Sequence, residues 1–266
     1  LPHRFCGRAQ NTPIGDNTKG RRNRVKTVIA KRAVQRACQE PGNFMRMRIG
    51  TWNVDNWLLT DKHKNLIIGE NCDVWLITEL PAGWVNDRKF SDFHCHRSKG
   101  VMGRNQHWAA VLSFRPLIPL EDPHQASAAA SVNGIMFCST ILPWRGSGGE
   151  HPWVGENHSA RTADAITALL EKLPRSNLVW GGDWNHSLKG KEVAGSKRGR
   201  VHLLEAIKAL NLQVPTTELF HRNDICFAID HIGVPHDWTV ISAKRIVALG
   251  LSDHDAYVIE VEIPDK

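Results

Sequence analysis

Leu178-Val179-Trp180-Gly181-Gly182-Asp183-Trp184-Asn185 says more about architecture than any other part of the chain. Three apolar residues make a buried strand, two glycines release the backbone, and an acid and an amide follow at the strand exit. An ionised carboxylate in that position is costly to bury unless it is paired or holds a metal. The arrangement recurs along the chain. Asn53 ends Thr51-Trp52-Asn53-Val54, and Glu79 ends Ile77-Thr78-Glu79-Leu80. Asp230 and His231 sit in Ala228-Ile229-Asp230-His231-Ile232, and Asp253 and His254 in Leu251-Ser252-Asp253-His254.

Working outward, strands are expected over 48–54, 73–80, 93–97, 107–114, 128–132, 134–142, 178–182, 227–234, 238–247 and 256–263. The pair Asn133-Gly134 reads as a hairpin turn. A short helix is expected over 61–69, closed by glycine. A second begins at Ser159 as N-cap, carries Ala163, Ile166, Leu169, Leu170 and Leu173 on one face, and stops at Pro174. A third covers 201–210 through Leu203, Leu204, Ile207 and Leu210. No fixed-period repeat and no linker interrupts 47–266. The pattern alone gives one α+β domain with mostly antiparallel strands.

The 266 residues are 41% hydrophobic and 23% charged, which excludes disorder, collagen and coiled coil as the dominant state. Apolar runs such as 127–132 fall far short of the roughly 20 residues a spanning helix needs, so membrane insertion is not expected. Six cysteines, none in a C-x-x-C pair, indicate neither a zinc knuckle nor a disulfide scaffold and suit a reducing cytoplasm. The formal charge of +7 invites a polyanionic partner. Ten basic residues within 1–44 oppose only Asp16 and Glu40, leaving 24 basic against 25 acidic residues in the rest. A near-neutral catalytic domain, 45–266, is therefore expected behind a basic leader, 1–44. The leader reads as a disordered or upstream extension, since Met45 and Met47 directly precede the first convincing strand. A nucleic-acid-binding arm and an Arg-rich targeting peptide are the alternatives.

Each polar motif has an ordinary structural reading when taken singly. Asn53 suits a strand-end cap, Asp230 a turn, Gly181-Gly182-Asp183 a strand exit, and His231 and His254 packing or surface positions. Their joint order is more specific. W-N-V, T-E-L, G-G-D-W-N, I-D-H-I and S-D-H in series closely resemble the endonuclease/exonuclease/phosphatase superfamily, over about residues 48–263. The resemblance implies a four-layer αββα sandwich of two mostly antiparallel sheets flanked by helices, with the active site at one edge of the sheets.

It also implies roles. Asn53 and Glu79 match the metal-binding pair, with Glu79 the principal carboxylate, and Asp253 matches a further ligand or a partner of bound water. Oxygen donors without cysteine suit Mg²⁺ or Mn²⁺. Asp183 and Asn185 match the pair that activates the attacking water and hydrogen-bonds the phosphate. Asp230 matches the carboxylate that orients the catalytic histidine, and His254 that histidine. Whether His254 or Asp183 takes the proton stays open. The implied reaction is metal-assisted hydrolysis of a phosphate ester by in-line attack of water.

One position departs from the family pattern. Where a His or Tyr usually contacts the phosphate, this chain has Ile141, in Ser139-Thr140-Ile141-Leu142-Pro143-Trp144-Arg145. Arg145 is the preferred substitute, because guanidinium suits phosphate bidentately, with His151 and His158 as alternatives. Lys189, Lys191, Lys197, Arg198 and Arg200 form a basic strip after Asn185, expected to overhang the site as a Gly-rich loop. Trp57, Trp84, Trp144, Trp153 and Trp184 lie in expected loops or strand ends and offer stacking surfaces, whereas Trp52, Trp75, Trp108 and Trp180 read as core. A nuclease acting on nucleic acid is the favoured function. A phosphatase or phosphodiesterase on a small-molecule or lipid phosphate is the alternative, and a non-catalytic binding protein a second one. No protein partner is inferable.

Overall fold

Trp75 and Trp180 show how the layers are assembled, because each sits on the opposite strand face from its apolar neighbours Leu76 and Val179. In the computed structural model, residues 44–55, 60–86, 91, 93–148, 152–222 and 227–265 are described. The leader through Asn43, Trp57 and His151 lie outside the described residues. The strands are β1 (Phe44–Asn53), β2 (Val74–Pro81), β3 (His94–Arg97), β4 (Val101–Met102), β5 (Gln106–Ser113), β6 (Ile118–Pro119) and β7 (Ser127–Val132). They continue with β8 (Ile135–Thr140), β9 (Leu178–Asp183), β10 (Leu212–Gln213), β11 (Asp230–Pro235), β12 (Thr239–Ile246) and β13 (Ala256–Pro264). The helices are α1 (Asp61–Gly69), α2 (His158–Lys172) and α3 (Lys197–Ala209).

One sheet runs β12-β13-β1-β2-β5-β3, with β4 also on β5, and the other β10-β11-β9-β8-β7-β6. Among the described strands, only β1/β2 and β8/β9 pair in parallel. Ile49, Leu76 and Ile259 from one sheet and Phe137, Val179 and Ile232 from the other share the layer between the sheets. Trp52, Trp75 and Val258 face outward onto Ile67 of α1. Trp180 and Trp184 face outward onto Ile166 and Leu169 of α2 and Leu203 and Ile207 of α3. The result is the expected four-layer αββα sandwich. Burial of the four core tryptophans agrees with the sequence reading, with Trp52, Trp75 and Trp180 fully enclosed.

Several local expectations are corrected. Phe44, assigned to the leader, opens β1 opposite Pro264. Helix α2 starts at His158 because the Asn157 side chain, not Ser159, accepts from the Ala160 amide. Helix α3 starts at Lys197, four residues before the expected start at 201, where the Ser196 hydroxyl caps the Gly199 amide. The Asn133-Gly134 hairpin forms as read, with both residues at positive φ (53° and 78°).

Gly181 and Gly182 have a steric reason. A Cβ on Gly181 would lie 2.5 Å from the His231 carbonyl oxygen and 2.7 Å from Leu76 Cδ1. One on Gly182, at φ +122°, would lie 2.3 Å from the Thr140 carbonyl oxygen. The pair lets β8, β9 and β11 close together beneath Asp183. Gly182→Ala is expected to cost about 3 kcal/mol through this strain, read as a lower urea midpoint with an unchanged slope; an unchanged midpoint would contradict the close approach.

Candidate active site

Strand direction brings the motifs to one edge. Parallel pairing sets Asn53 beside Thr78, next to Glu79, at the C-terminal ends of β1 and β2. Antiparallel pairing sets Asp230 opposite Asp183, so Asp230 begins β11 rather than ending a strand. Asp253 and His254 likewise lie in the loop that enters β13. The expectation that every motif sits at a strand C-terminus is thus corrected: antiparallel starts and parallel ends meet at the same edge. Glu79 and Asn185 adopt positive φ (57° and 51°), a conformation costly for non-glycine residues and concentrated at functional sites.

Asn53 is the hub. Its Nδ2 donates to Glu79 Oε1 at 3.0 Å and to Asp183 Oδ2 at 3.1 Å. The Asn185 amide Nδ2 donates to Asp183 Oδ2 at 3.1 Å and to the Leu142 carbonyl at 2.9 Å, and its backbone N–H donates to Asp183 Oδ1. Both side-chain hydrogens of Asn185 are therefore engaged, one on Asp183 and the other on the Leu142 carbonyl that fixes the amide. His254 Nδ1 lies 2.7 Å from Asp230 Oδ2, and its Nε2 lies 4.0 Å from Asp183 Oδ2. The loop carrying Asp253 and His254 is fixed from several sides. Ser252 Oγ donates to the Asn53 carbonyl and accepts the His254 amide. Trp52 Nε1 donates to the His254 carbonyl, and His63, stacked on Trp52, reaches the Leu251 carbonyl through Nε2.

Electrostatics divide this cluster. Burial and then the Asp230 carboxylate push Asp183 up to about 7. Burial alone would lower His254, but the Asp230 and Asp183 carboxylates outweigh it and hold the imidazole well above 6.5. Glu79 is raised by burial against the opposing Asn53 hydrogen bond, with Asp55 and Asp253 raising it further. Asp55 is raised by burial and by Asp253, and it also interacts with Glu79. Asp55 escaped the sequence reading. Its signal was the Asn53-x-Asp55 spacing, since residues two apart on an extended segment share a face.

Asp55, Glu79 and Asp253 thus form a carboxylate group whose mutual repulsion a hard divalent cation would relieve. An all-oxygen donor set with Asn53 behind it fits Mg²⁺ or Mn²⁺ better than zinc.

The substrate side differs more from expectation. Ile141 is buried at 1% exposure and presents no polar group. Arg145 is exposed, but its Nε donates to the Gly195 carbonyl at 2.9 Å. His158 is corrected as a surface cation: it is buried, with Nε2 on the Pro143 carbonyl and Nδ1 on Ser196, and burial lowers its pKa. The strip after Asn185 is no loose overhang. Gly195 and Gly199 press on the buried His186 ring, where added Cβ atoms would sit 2.5 Å away, and Arg200 pairs with buried Glu192 at 3.1 Å. Lys189 pairs with Glu218, while Lys191, Lys197 and Arg198 are exposed. Trp84, Trp153 and Trp184 are core rather than stacking surfaces; Trp144, at 39%, is exposed. The aromatic rim sits elsewhere. Phe220 is 47% exposed and stacks on Phe227, over which Lys189 Nζ lies 5.5 Å from the ring centroid. The half-buried His221 follows directly and meets the His254 ring edge-on at 5.2 Å.

Known structures share this architecture. The endonuclease domain of TRAS1, a telomere-specific non-LTR retrotransposon, is 16% identical, with a TM-score of 0.59 over 82% of this chain and 98% of that one. An endonuclease/exonuclease/phosphatase family protein from Leptotrichia buccalis is 18% identical, with a TM-score of 0.59 over 82% of this chain and all of its own. AP endonuclease LMAP from Leishmania major is 14% identical, also at 0.59, over 82% and 88% of the two chains. No protein-family model and no curated protein sequence matches the chain. The fold is the DNase I-like sandwich that these structures share.

Proposed function

We propose that the protein is a divalent-metal-dependent phosphoesterase that hydrolyses phosphodiester bonds, with nucleic acid as its substrate. The observation that carries this is Asn53, whose one amide nitrogen joins the carboxylate group at Glu79 to the proton-handling group at Asp183. Asp55, Glu79 and Asp253 would hold the cation, which when bound supplies positive charge to the phosphoryl oxygens and the leaving alkoxide.

The remaining chemistry belongs to the side chains. Asp183, near 7, is matched to taking the proton of an attacking water at neutral pH. Asn53 and Asn185 orient that carboxylate. His254, kept charged by Asp230, donates from Nε2 to the developing phosphoryl charge, an electrostatic role that needs no reorganisation. This assignment gives the base role to Asp183 and the cation role to His254.

Nucleic acid is supported by the rim of Phe220, Phe227 and Lys189 and by the exposed Lys191, Lys197 and Arg198, which suit base stacking and backbone neutralisation. The nuclease structures sharing the fold point the same way. Arg145 retains the role of a phosphate contact from the neighbouring loop. Phe220→Ala is expected to raise KM for an oligonucleotide about tenfold and to leave turnover of bis-p-nitrophenyl phosphate unchanged. Equal loss on both substrates would remove the rim from recognition. A panel of plasmid, abasic oligonucleotide, RNA and phosphomonoesters tests the class: robust monoester turnover without nucleic-acid cleavage would replace the nuclease reading with a phosphatase one.

Linkage offers a test independent of turnover. Asp183, Glu79 and Asp55 have folded pKa values above their unfolded ones, so the folded state holds more protons and the metal-free protein loses stability as pH rises. For Asp183 the window runs from 3.8 to about 7. The thermal midpoint without metal should fall across that window, and Mg²⁺ or Mn²⁺ should raise it more at pH 7.5 than at pH 5. A metal effect independent of pH would contradict the carboxylate assignment.

A further inference from the structure

We propose that His221, Asp230 and His254 form a second metal site, for a transition ion of the zinc class, distinct from the carboxylates at Asp55, Glu79 and Asp253. Each of the three residues offers one donor atom, and these atoms lie within 4.8 Å of one another. Two imidazoles and one carboxylate, with a position left for water, are a zinc-type donor set, whereas an all-oxygen group selects magnesium or manganese.

Asp230 supplies an independent reason. It is fully buried, its Oδ2 is taken by His254 Nδ1, and its Oδ1 has no hydrogen-bond partner among the described residues. An orphaned buried carboxylate oxygen is a standing cost that a bound cation removes. His221 supplies the access. It is half-buried at the rim, so an ion has a path from solvent. Its Nδ1 lies 3.4 Å from the Tyr257 hydroxyl, which donates its own proton to the Phe220 carbonyl at 3.0 Å. Tyr257 therefore accepts from His221 Nδ1–H, which leaves the lone pair on Nε2; a ligating histidine is held in this way by its second nitrogen. Zinc ligands sit about 2.0–2.2 Å from the ion and hence about 3.4 Å apart. Ion binding therefore requires the donor atoms, now within 4.8 Å, to converge and the 2.7 Å His254–Asp230 contact to open to that spacing.

Ligation of His254 displaces its Nδ1 proton to solvent and withdraws the imidazole from the reaction. The site is thus inhibitory, a consequence that rests on the function proposed above, while ion binding does not. The test is Zn²⁺ titration against a chromophoric chelator and Co²⁺ titration by visible absorption, both in excess Mg²⁺, on the full chain. The unsubstituted protein should show a tetrahedral Co²⁺ band and lose Mg²⁺-supported hydrolysis as Zn²⁺ binds. His221→Ala and His221→Gln should weaken Zn²⁺ at least about tenfold, abolish the band and relieve inhibition, measured against each variant's own activity in Mg²⁺ alone. Glu79→Gln should leave Zn²⁺ and Co²⁺ binding intact. Unaltered Zn²⁺ affinity in both His221 variants would overturn the site, as would Zn²⁺ binding lost in Glu79→Gln but kept in His221→Ala. Failure of hydrolysis on every substrate would remove the inhibitory consequence and leave the binding result to stand.

Discussion

Glu79→Gln is expected to lower phosphodiester hydrolysis by about 10³-fold, the loss of several kcal/mol of charge stabilisation through the cation. The substitution is nearly isosteric, and the glutamine oxygen still accepts the Asn53 amide that Glu79 Oε1 accepts at 3.0 Å. What it removes is one negative charge from a group that also contains Asp55 and Asp253. Burial and those neighbours already disfavour that charge in the metal-free protein. The metal-free variant should therefore be as stable as the parent or more so, while the rise in thermal midpoint on adding Mg²⁺ or Mn²⁺ should largely vanish. A purely structural Glu79 gives the opposite pattern, with the metal-free midpoint reduced and the metal response kept.

His254→Ala should cost about 10²–10⁴-fold in turnover, and Asp230→Asn should reproduce part of that loss with a distinctive pH signature. The Asp230 carboxylate leads the charges that lift His254 above 6.5 against the effect of burial. Without it the imidazole loses its proton at lower pH, so the alkaline limb of kcat shifts to lower pH. Direct titration of the His254 ring by NMR should follow the same shift. Stability obeys the sign of a raised histidine pKa: the pair stabilises fully below about 6.5 and loses its contribution as pH rises through the folded value. The destabilisation by Asp230→Asn should accordingly be largest in mild acid and shrink at alkaline pH. A pH profile that keeps its shape in Asp230→Asn would remove Asp230 from proton control.

The architecture was legible because apolar alternation and strand-end polar residues are local signals. Trp75 against Leu76 and Trp180 against Val179 report two faces of one strand, and Gly181-Gly182 marks a close approach that sequence shows as an unusual pair. Asn53, Glu79, Asp183, Asp230 and His254 meet in space because their motifs lie at one edge of the sheets. The misread features depend on tertiary partners. Asp230 looked like a strand end because local pattern carries no direction; only antiparallel pairing with β9 makes it a beginning. The strip after Asn185 looked loose because its order comes from Gly195 and Gly199 packing on His186 and from Glu192, neither a periodic signal. Trp153 and Trp184 lie outside the helices and are still core, because irregular segments here cross the outer face of a sheet. Asp55 was hidden by its neighbour, since Asn53 already explained a polar strand end. His221, in an unpatterned segment, had no local mark.

The most direct measurement is divalent-ion-dependent hydrolysis of bis-p-nitrophenyl phosphate and supercoiled plasmid by the full chain, with Mg²⁺, with Mn²⁺ and with EDTA, beside Glu79→Gln. The expected result is turnover with either ion, none in EDTA, and about 10³-fold less in the variant. Turnover undiminished by EDTA, or equal in Glu79→Gln, would contradict a metal-dependent phosphoesterase built on these carboxylates.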